Sequence, residues 1–327
     1  MLYPLIAIIV GFFLLMWGAD RFVAGAAGLA RALGVAPLLI GLTVVGFGTS
    51  APEILVSVTA ALQGNGEIAL GNAVGSNIAN IGLILGVTAL VAPLMVHSNI
   101  LRGEYPILLI ASIGTYFLLF DGNLSRIDGM LLLAGLIVAM TLIVRMGIKR
   151  PQDDPMIAEY EAEIPDDMSK GTALGLFALG LVVLIVSSKI LVWGAVEVAT
   201  ALGVSELVIG LTIVAIGTSL PELAASVMSA LKNEHDIAIG NIIGSNLYNL
   251  LAVLCVPGLL APSAVPEVLL NRDMLVMLAL TLALLVMGMS RKGQGQINRF
   301  EGAILLLAFV GYQGWLFVSA TSSGNLS

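Results

Sequence analysis

The sequence predicts an all-α polytopic membrane protein of ten transmembrane helices, arranged as two inverted five-helix repeats. Three observations carry this: an apolar composition, ten hydrophobic stretches of spanning length, and a block of sequence that occurs twice. Of 327 residues, 58% are hydrophobic and 11% charged. A soluble domain carries about 25% charged and about 45–50% apolar residues, so this chain cannot cover a water-facing surface. A transmembrane barrel alternates polar lumen positions with apolar ones and does not reach such an average. Thirty-seven glycines and 6% aromatics suit helices packed backbone to backbone in lipid. The lone cysteine, Cys255, excludes an intramolecular disulfide and reads as a packing residue.

A spanning helix needs about 20 mostly apolar residues. The stretches are 2–20, 37–61, 68–92, 104–120, 127–146, 171–193, 206–230, 237–260, 273–290 and 300–320. The first and sixth are expected to continue as tilted amphipathic helices to about residues 31 and 200. Turn residues mark the breaks, among them Gly64-Asn65-Gly66, Pro93, Asp121-Gly122-Asn123, and Pro262 with Pro266. Met1-Leu2-Tyr3-Pro4 lacks a basic n-region, so the first stretch is expected to stay in the membrane rather than be cleaved as a signal.

Charge divides the chain further. The formal charge is −7, and seven of the 21 acids fall between Asp153 and Asp167. The division is a first half over 1–146, an acidic linker over 147–169 and a second half over 170–327. Outside the linker the chain is close to neutral, which gives no footprint for nucleic acid. Eleven of the 14 lysines and arginines lie on the odd-numbered connections. The positive-inside rule therefore places those connections and the linker in the cytoplasm and both termini outside, in a cell (inner) membrane.

The repeat is found by a shift of 169 residues. Residues 37–93 then align with 206–262 without a gap, with 28 identities in 57 positions. Gly48-Thr49-Ser50-Ala51-Pro52-Glu53 falls on Gly217-Thr218-Ser219-Leu220-Pro221-Glu222. Gly71-Asn72-Ala73-Val74-Gly75-Ser76-Asn77 falls on Gly240-Asn241-Ile242-Ile243-Gly244-Ser245-Asn246, and Asn80 on Asn249. Five crossings separate the copies, and five is odd, so the copies run in opposite directions. Inverted repeats with helices broken near the midplane are a transporter plan, with the ion site where the repeats meet.

Glu53 and Glu222 lie mid-span, where a carboxylate costs about 2.5–3.5 kcal/mol on insertion scales and marks function by default. The bland alternative is a buried acid serving only helix pairing; the same acid at matched depth in both copies, with no base beside either, weighs against it. Residues three and four apart share a helix face, so Thr49, Ser50 and Glu53 point one way, as do Thr218, Ser219 and Glu222. Pro52 and Pro221 lack an N–H and distort the helix locally. Ser76 with Asn80, and Ser245 with Asn249, add polar groups at i and i+4. The glycine pairs Gly71/Gly75 and Gly240/Gly244 allow close helix approach. The inventory is carboxylates, hydroxyls, amide oxygens and loosened carbonyls, which suits hard cations; Ca²⁺ takes 6–8 such oxygens, whereas soft metals want imidazole or thiolate.

At these residues the chain resembles the Ca²⁺/cation antiporter superfamily, in its prokaryotic sodium/calcium exchanger-like branch. The resemblance covers nearly the whole chain and rests on the paired G-T-S-x-P-E and G-N-x-x-G-S-N-x-x-N motifs. It implies the sodium/calcium exchanger fold, a core of helices 2–5 and 7–10 with helices 1 and 6 sliding across it. It further implies exchange of Ca²⁺ for Na⁺ by alternating access, with no cofactor and no obligate protein partner beyond the lipid bilayer. Carried over by position, the ion ligands fall on Thr49, Ser50, Glu53, Ser76 and Asn80, and on Thr218, Ser219, Glu222, Ser245 and Asn249. Main-chain carbonyls of Gly46 and Ala215 complete the set. The proton-coupled branch typically carries an acid and a histidine in the second motif; Gly75-Ser76-Asn77 and Gly244-Ser245-Asn246 stand here instead. Some relatives carry Asp in place of Asn249, which leaves a K⁺-dependent exchanger as an alternative.

Two other classes use buried carboxylates. An intramembrane enzyme would pair an acid and a base in diverging environments, whereas these motifs are near-copies. A channel ring is usually assembled from several subunits, whereas this chain carries its own repeat. The linker acids lack EF-hand spacing and read as a solvated loop. His97 and His235 read as exposed loop residues, and Asp20 as a local ion pair with Arg21.

Overall fold

The computed structural model describes residues 2–34, 43, 46–96, 102–149, 168–289 and 295–324. Helix α1 spans Leu2–Ala32. The chain resumes with α2 (Gly46–Thr49) and α3 (Ala51–Leu62), then α4 (Gly66–Val91), α5 (Glu104–Leu118) and α6 (Arg126–Ile148). The second half holds α7 (Lys170–Leu202), α8 (Glu206–Thr218), α9 (Leu220–Leu231), α10 (His235–Leu260), α11 (Leu269–Gly288) and α12 (Arg299–Gly324). Seven of these helices are long and apolar enough to cross a membrane, and the bent pair α8–α9 makes an eighth if it is one span. The remaining apolar helices, α3 and α5, are shorter. The first and seventh helices run to Ala32 and Leu202, close to the sequence expectation. His97 and the linker from residue 150 to 167 lie outside the described residues.

Positions paired by the 169-residue shift share backbone conformation. Gly34 and Gly203 end α1 and α7 with φ of 81° and 62°, the left-handed cap that closes a helix. Gly64 and Asn233, after α3 and α9, take φ of 83° and 65°, Asn being the other residue that tolerates this region. Ser50 and Ser219 interrupt their helices at φ/ψ of −85°/3° and −84°/4°, each with a proline two residues on that keeps the break open. A π-turn starts at Asn80 in α4 and at Asn249 in α10.

Burial sorts the helices. Over their apolar windows α4 and α10 are 78% and 83% buried, against 22% for α6 and 28% for α1 and α12. The two innermost helices thus form the centre. Around them α1, α6 and α12 expose Ile9, Phe13, Ile137, Leu307 and Phe317, apolar patches that only lipid or another apolar partner can cover. Helices α1 and α7 lie antiparallel along their lengths. A Cβ at Gly180 would meet the Gly18 carbonyl at 2.7 Å, and one at Gly194 would meet the Pro4 carbonyl at 2.8 Å. Two short antiparallel ladders tie loops across the molecule, Leu94–Val96 with Gly295–Ile297 and Asn123–Leu124 with Ser263–Ala264. Asp20 pairs with Arg21 as expected, and Arg21 stacks over Trp17, an interfacial pairing of cation and aromatic. Cys255 is buried and donates weakly to the Ala252 carbonyl.

Candidate functional site

The two helix breaks and the two central helices converge on one buried region. Because Ser50 and Ser219 stop the helices one residue before α3 and α9, Glu53 and Glu222 sit in first turns. There the positive end of the helix faces a carboxylate. Glu53 and Glu222 are each 1% exposed, and the ten predicted side chains, from Thr49 to Asn249, are all buried.

The halves interlock through these side chains. Ser219 donates to Glu53 Oε1 at 3.3 Å, and Ser245 donates to Glu222 Oε1 at 3.4 Å. Asn80 Nδ2 donates to Asn246 Oδ1 at 3.0 Å. The single hydroxyl hydrogen of Thr49 is shared between the Gly46 carbonyl at 3.2 Å and Asn241 Oδ1 at 3.5 Å, and that of Thr218 among the Val214 carbonyl at 3.0 Å, Asn72 Oδ1 at 3.1 Å and the Ala215 carbonyl at 3.4 Å. The structure therefore brings Ser219 against Glu53 and Ser245 against Glu222, while the contacts of the Gly46 and Ala215 carbonyls are with the threonines three residues along.

Among the described residues, six buried oxygens of this set have no hydrogen-bond partner: Ser50 Oγ, Glu53 Oε2, Ser76 Oγ, Asn80 Oδ1, Glu222 Oε2 and Asn249 Oδ1. Leaving a buried polar group unpaired costs about 1–3 kcal/mol, more if it is charged, so such a cluster needs a chemical reason. Two carboxylates and four neutral oxygens, with no imidazole or thiolate, match the donor set of a hard cation.

Two residues of the motif have a structural part that the sequence reading did not assign. Asn72 Nδ2 donates to the Glu53 carbonyl and to Ser57 Oγ, both at 3.1 Å, and Asn72 Oδ1 accepts from Thr218 at 3.1 Å. Asn241 repeats this on the other copy, donating to the Glu222 carbonyl at 3.4 Å and Ser226 Oγ at 3.0 Å. Its Oδ1 accepts from Thr49 at 3.5 Å. Each asparagine grips one glutamate's backbone and the opposite copy's threonine. Their identity in both copies was the available signal.

A lipid-facing helical shell around a buried site of hard-cation chemistry defines a polytopic membrane transporter. Known proteins give the particular family. The family model for the sodium/calcium exchanger protein matches residues 3–145 and 172–318, and the chain belongs to that family of antiporters, not to a class of enzymes. CaxA of Alkalimonas amylolytica is 50% identical over 98% of this chain and 100% of its own. The sodium/calcium exchanger MaX1 of Methanosarcina acetivorans is 32% identical over 95% of this chain and 97% of its own. Among solved structures, the sodium-calcium exchanger NCX_Mj soaked with Na⁺ and Sr²⁺ superposes with a TM-score of 0.66 at 33% identity, covering 94% of this chain and 96% of that one.

Proposed function

We propose that the protein is a secondary active antiporter that exchanges Ca²⁺ for Na⁺ by alternating access, with the ions as transported substrates held between Glu53 and Glu222. The observation that carries this is the cluster of six partnerless buried oxygens, two of them carboxylate. In this reading Thr49, Ser50, Ser76, Asn80, Thr218, Ser219, Ser245 and Asn249 supply neutral oxygens around the two glutamates, and the Gly46 and Ala215 carbonyls add main-chain donors. Two negative charges balance one Ca²⁺ or two Na⁺, and a flexible all-oxygen cage accepts both. A relative that carries the name sodium/calcium exchanger, and a similar structure soaked with Na⁺ and Sr²⁺, support the same cargo.

The reading takes α2–α3, α5 and α8–α9 as crossings alongside the seven long helices, which makes ten in two inverted halves, 1–146 and 170–327, joined by the 147–169 linker. Matched breaks at Ser50 and Ser219 support the duplication. The lysine and arginine bias sets the linker inside and both termini outside.

The test is radiolabelled Ca²⁺ uptake by proteoliposomes loaded in turn with Na⁺, K⁺ or acid. Uptake driven by Na⁺ alone is expected. Uptake driven only by acid would replace the reading with proton coupling, uptake needing K⁺ with a K⁺-dependent exchanger, and flux without any counter-ion with a channel.

A further inference from the structure

The 169-residue shift pairs Asn80 with Asn249 and Asn77 with Asn246, yet these four buried amides are not used alike. Asn80 Nδ2 donates to Asn246 Oδ1 at 3.0 Å, joining α4 to α10, and Asn80 Oδ1 is left without a partner among the described residues. The matching bond, from Asn249 Nδ2 to Asn77, is not made. Asn77 Nδ2 instead donates one turn back to the Ala73 carbonyl at 2.8 Å, and neither amide atom of Asn249 has a partner among the described residues. Asn246 is 0% exposed. Among the described residues its side chain makes this single hydrogen bond, so a fully buried amide is kept for one contact, with a residue of the ion-site cluster.

An amide carries an acceptor at one end and two donors at the other, and a half-turn about its last torsion exchanges them. Only the oxygen can hold a cation. An untethered amide that shares a site with two carboxylates favours the wrong end, because its N–H groups are drawn to them. Asn246 removes that choice for Asn80: with the nitrogen engaged by an acceptor, the oxygen is the end left over. Asn249 has no such tether among the described residues.

We infer that Asn246 is a positioning residue of the ion site, which holds the Asn80 amide with its oxygen free for the cation, and that the second repeat lacks the equivalent. This rests on the reading above of Asn80 as an ion ligand; Asn246 itself touches no ion. The site is thereby unequal. Asn80 is set before the ion arrives, which spares the ordering cost that weakens binding, whereas Asn249 is ordered by the ion.

The experiment titrates Ca²⁺ into the full-length purified protein and follows Na⁺-driven Ca²⁺ uptake after reconstitution. Asn246→Ala should weaken Ca²⁺ binding about three- to tenfold, the scale of one buried hydrogen bond. The KM for Ca²⁺ should rise with it while the limiting rate stays near the parent's, the pattern of lost binding alone. Asn77→Ala, which loses only a bond within its own helix, should bind Ca²⁺ as the parent does. Asn80→Ala should weaken binding by itself, and Asn246→Ala added to it should do nothing further, because a residue that acts through Asn80 then has nothing to position. Structural damage would add instead. If Asn246→Ala does not fold, Asn246→Leu keeps the volume and removes the acceptor. Additive losses in the double variant, or a loss from Asn77→Ala as large as that from Asn246→Ala, overturn the inference. Loss in Asn80→Ala with none in Asn246→Ala overturns the inference alone, whereas a parent that binds no Ca²⁺, or an Asn80→Ala variant with parental affinity, overturns the ion-site reading beneath it as well.

Discussion

A buried carboxylate is stable only if something answers its charge, and the residues here answer it in two ways. Asp273, 0% exposed, accepts from Arg272 at 2.7 and 3.1 Å and from the Tyr312 hydroxyl at 2.8 Å, so both its oxygens are held by protein. Glu53 and Glu222 each keep one oxygen without a partner. The two kinds of acid should respond differently. Glu53→Gln or Glu222→Gln preserves shape and removes one charge facing a divalent ion, and losing one side of a desolvated charge contact costs about 2–5 kcal/mol. Ca²⁺ affinity, measured by titration of the folded variant, should fall about thirtyfold or more; near-parental affinity in either variant would remove the glutamates from the ion site. Tyr312→Phe should lower stability by about 1–3 kcal/mol, read as a lower melting temperature, with the preference between Ca²⁺ and Na⁺ unchanged. The glutamates were legible in the sequence because they recur at matched depth. Asp273 and its partner at the same shift, Glu104, were not, because both fall at the edges of predicted spans, where an acid reads as solvated, yet the structure buries them.

At the scale of elements, what punctuation marks was legible and what packing imposes was not. Pro52 and Pro221 announced the breaks, and Gly64 announced an end that its positive φ now explains. The π-turns from Asn80 and Asn249 carry no such mark, because one extra residue in a helical turn changes neither composition nor period enough to read. They leave Ser76 with Asn80 and Ser245 with Asn249 on one α-helical face, since the Asn80 and Asn249 N–H groups still bond the Ser76 and Ser245 carbonyls, and change the register only of the residues that follow. The glycine pairs also prove unequal. Gly75→Ala puts a methyl group against Leu211 backbone at 2.8 Å, an overpacking expected to cost about 1–3 kcal/mol. Gly244→Ala meets no described atom within 4 Å and is expected to cost less, within about 0.5 kcal/mol. Melting temperatures of the two variants in one detergent check this, and equal losses would contradict the difference in packing between the two positions.

For the whole molecule, the duplication was legible in the chain, whereas the interlock of its copies, Asn72 with Thr218 and Asn241 with Thr49, belongs to tertiary packing and was not. What the matched motifs do determine is charge. With Asn at both 80 and 249, the proposed ion site takes its formal charge of −2 from Glu53 and Glu222 alone. One Ca²⁺ neutralises it, whereas three Na⁺, the number the family resemblance implies, carry the loaded site to +1. Exchange of three Na⁺ for one Ca²⁺ then moves one net charge per cycle, worth about 2.3 kcal/mol per 100 mV. A K⁺ ion carried with Ca²⁺ would add a further positive charge that no third carboxylate offsets. Exchange should therefore follow membrane voltage, run without K⁺, and slow in acid as protons neutralise the glutamates without themselves driving uptake. Na⁺-driven Ca²⁺ flux in K⁺-free proteoliposomes, with the voltage set by an ionophore other than valinomycin, measures this directly. A 100 mV step in the favourable direction should raise the limiting Ca²⁺ gradient by about fiftyfold, the equivalent of that energy at about 1.4 kcal/mol per tenfold. A gradient indifferent to voltage would mean electroneutral exchange, and with it two Na⁺ per Ca²⁺ at a site whose charge never changes sign.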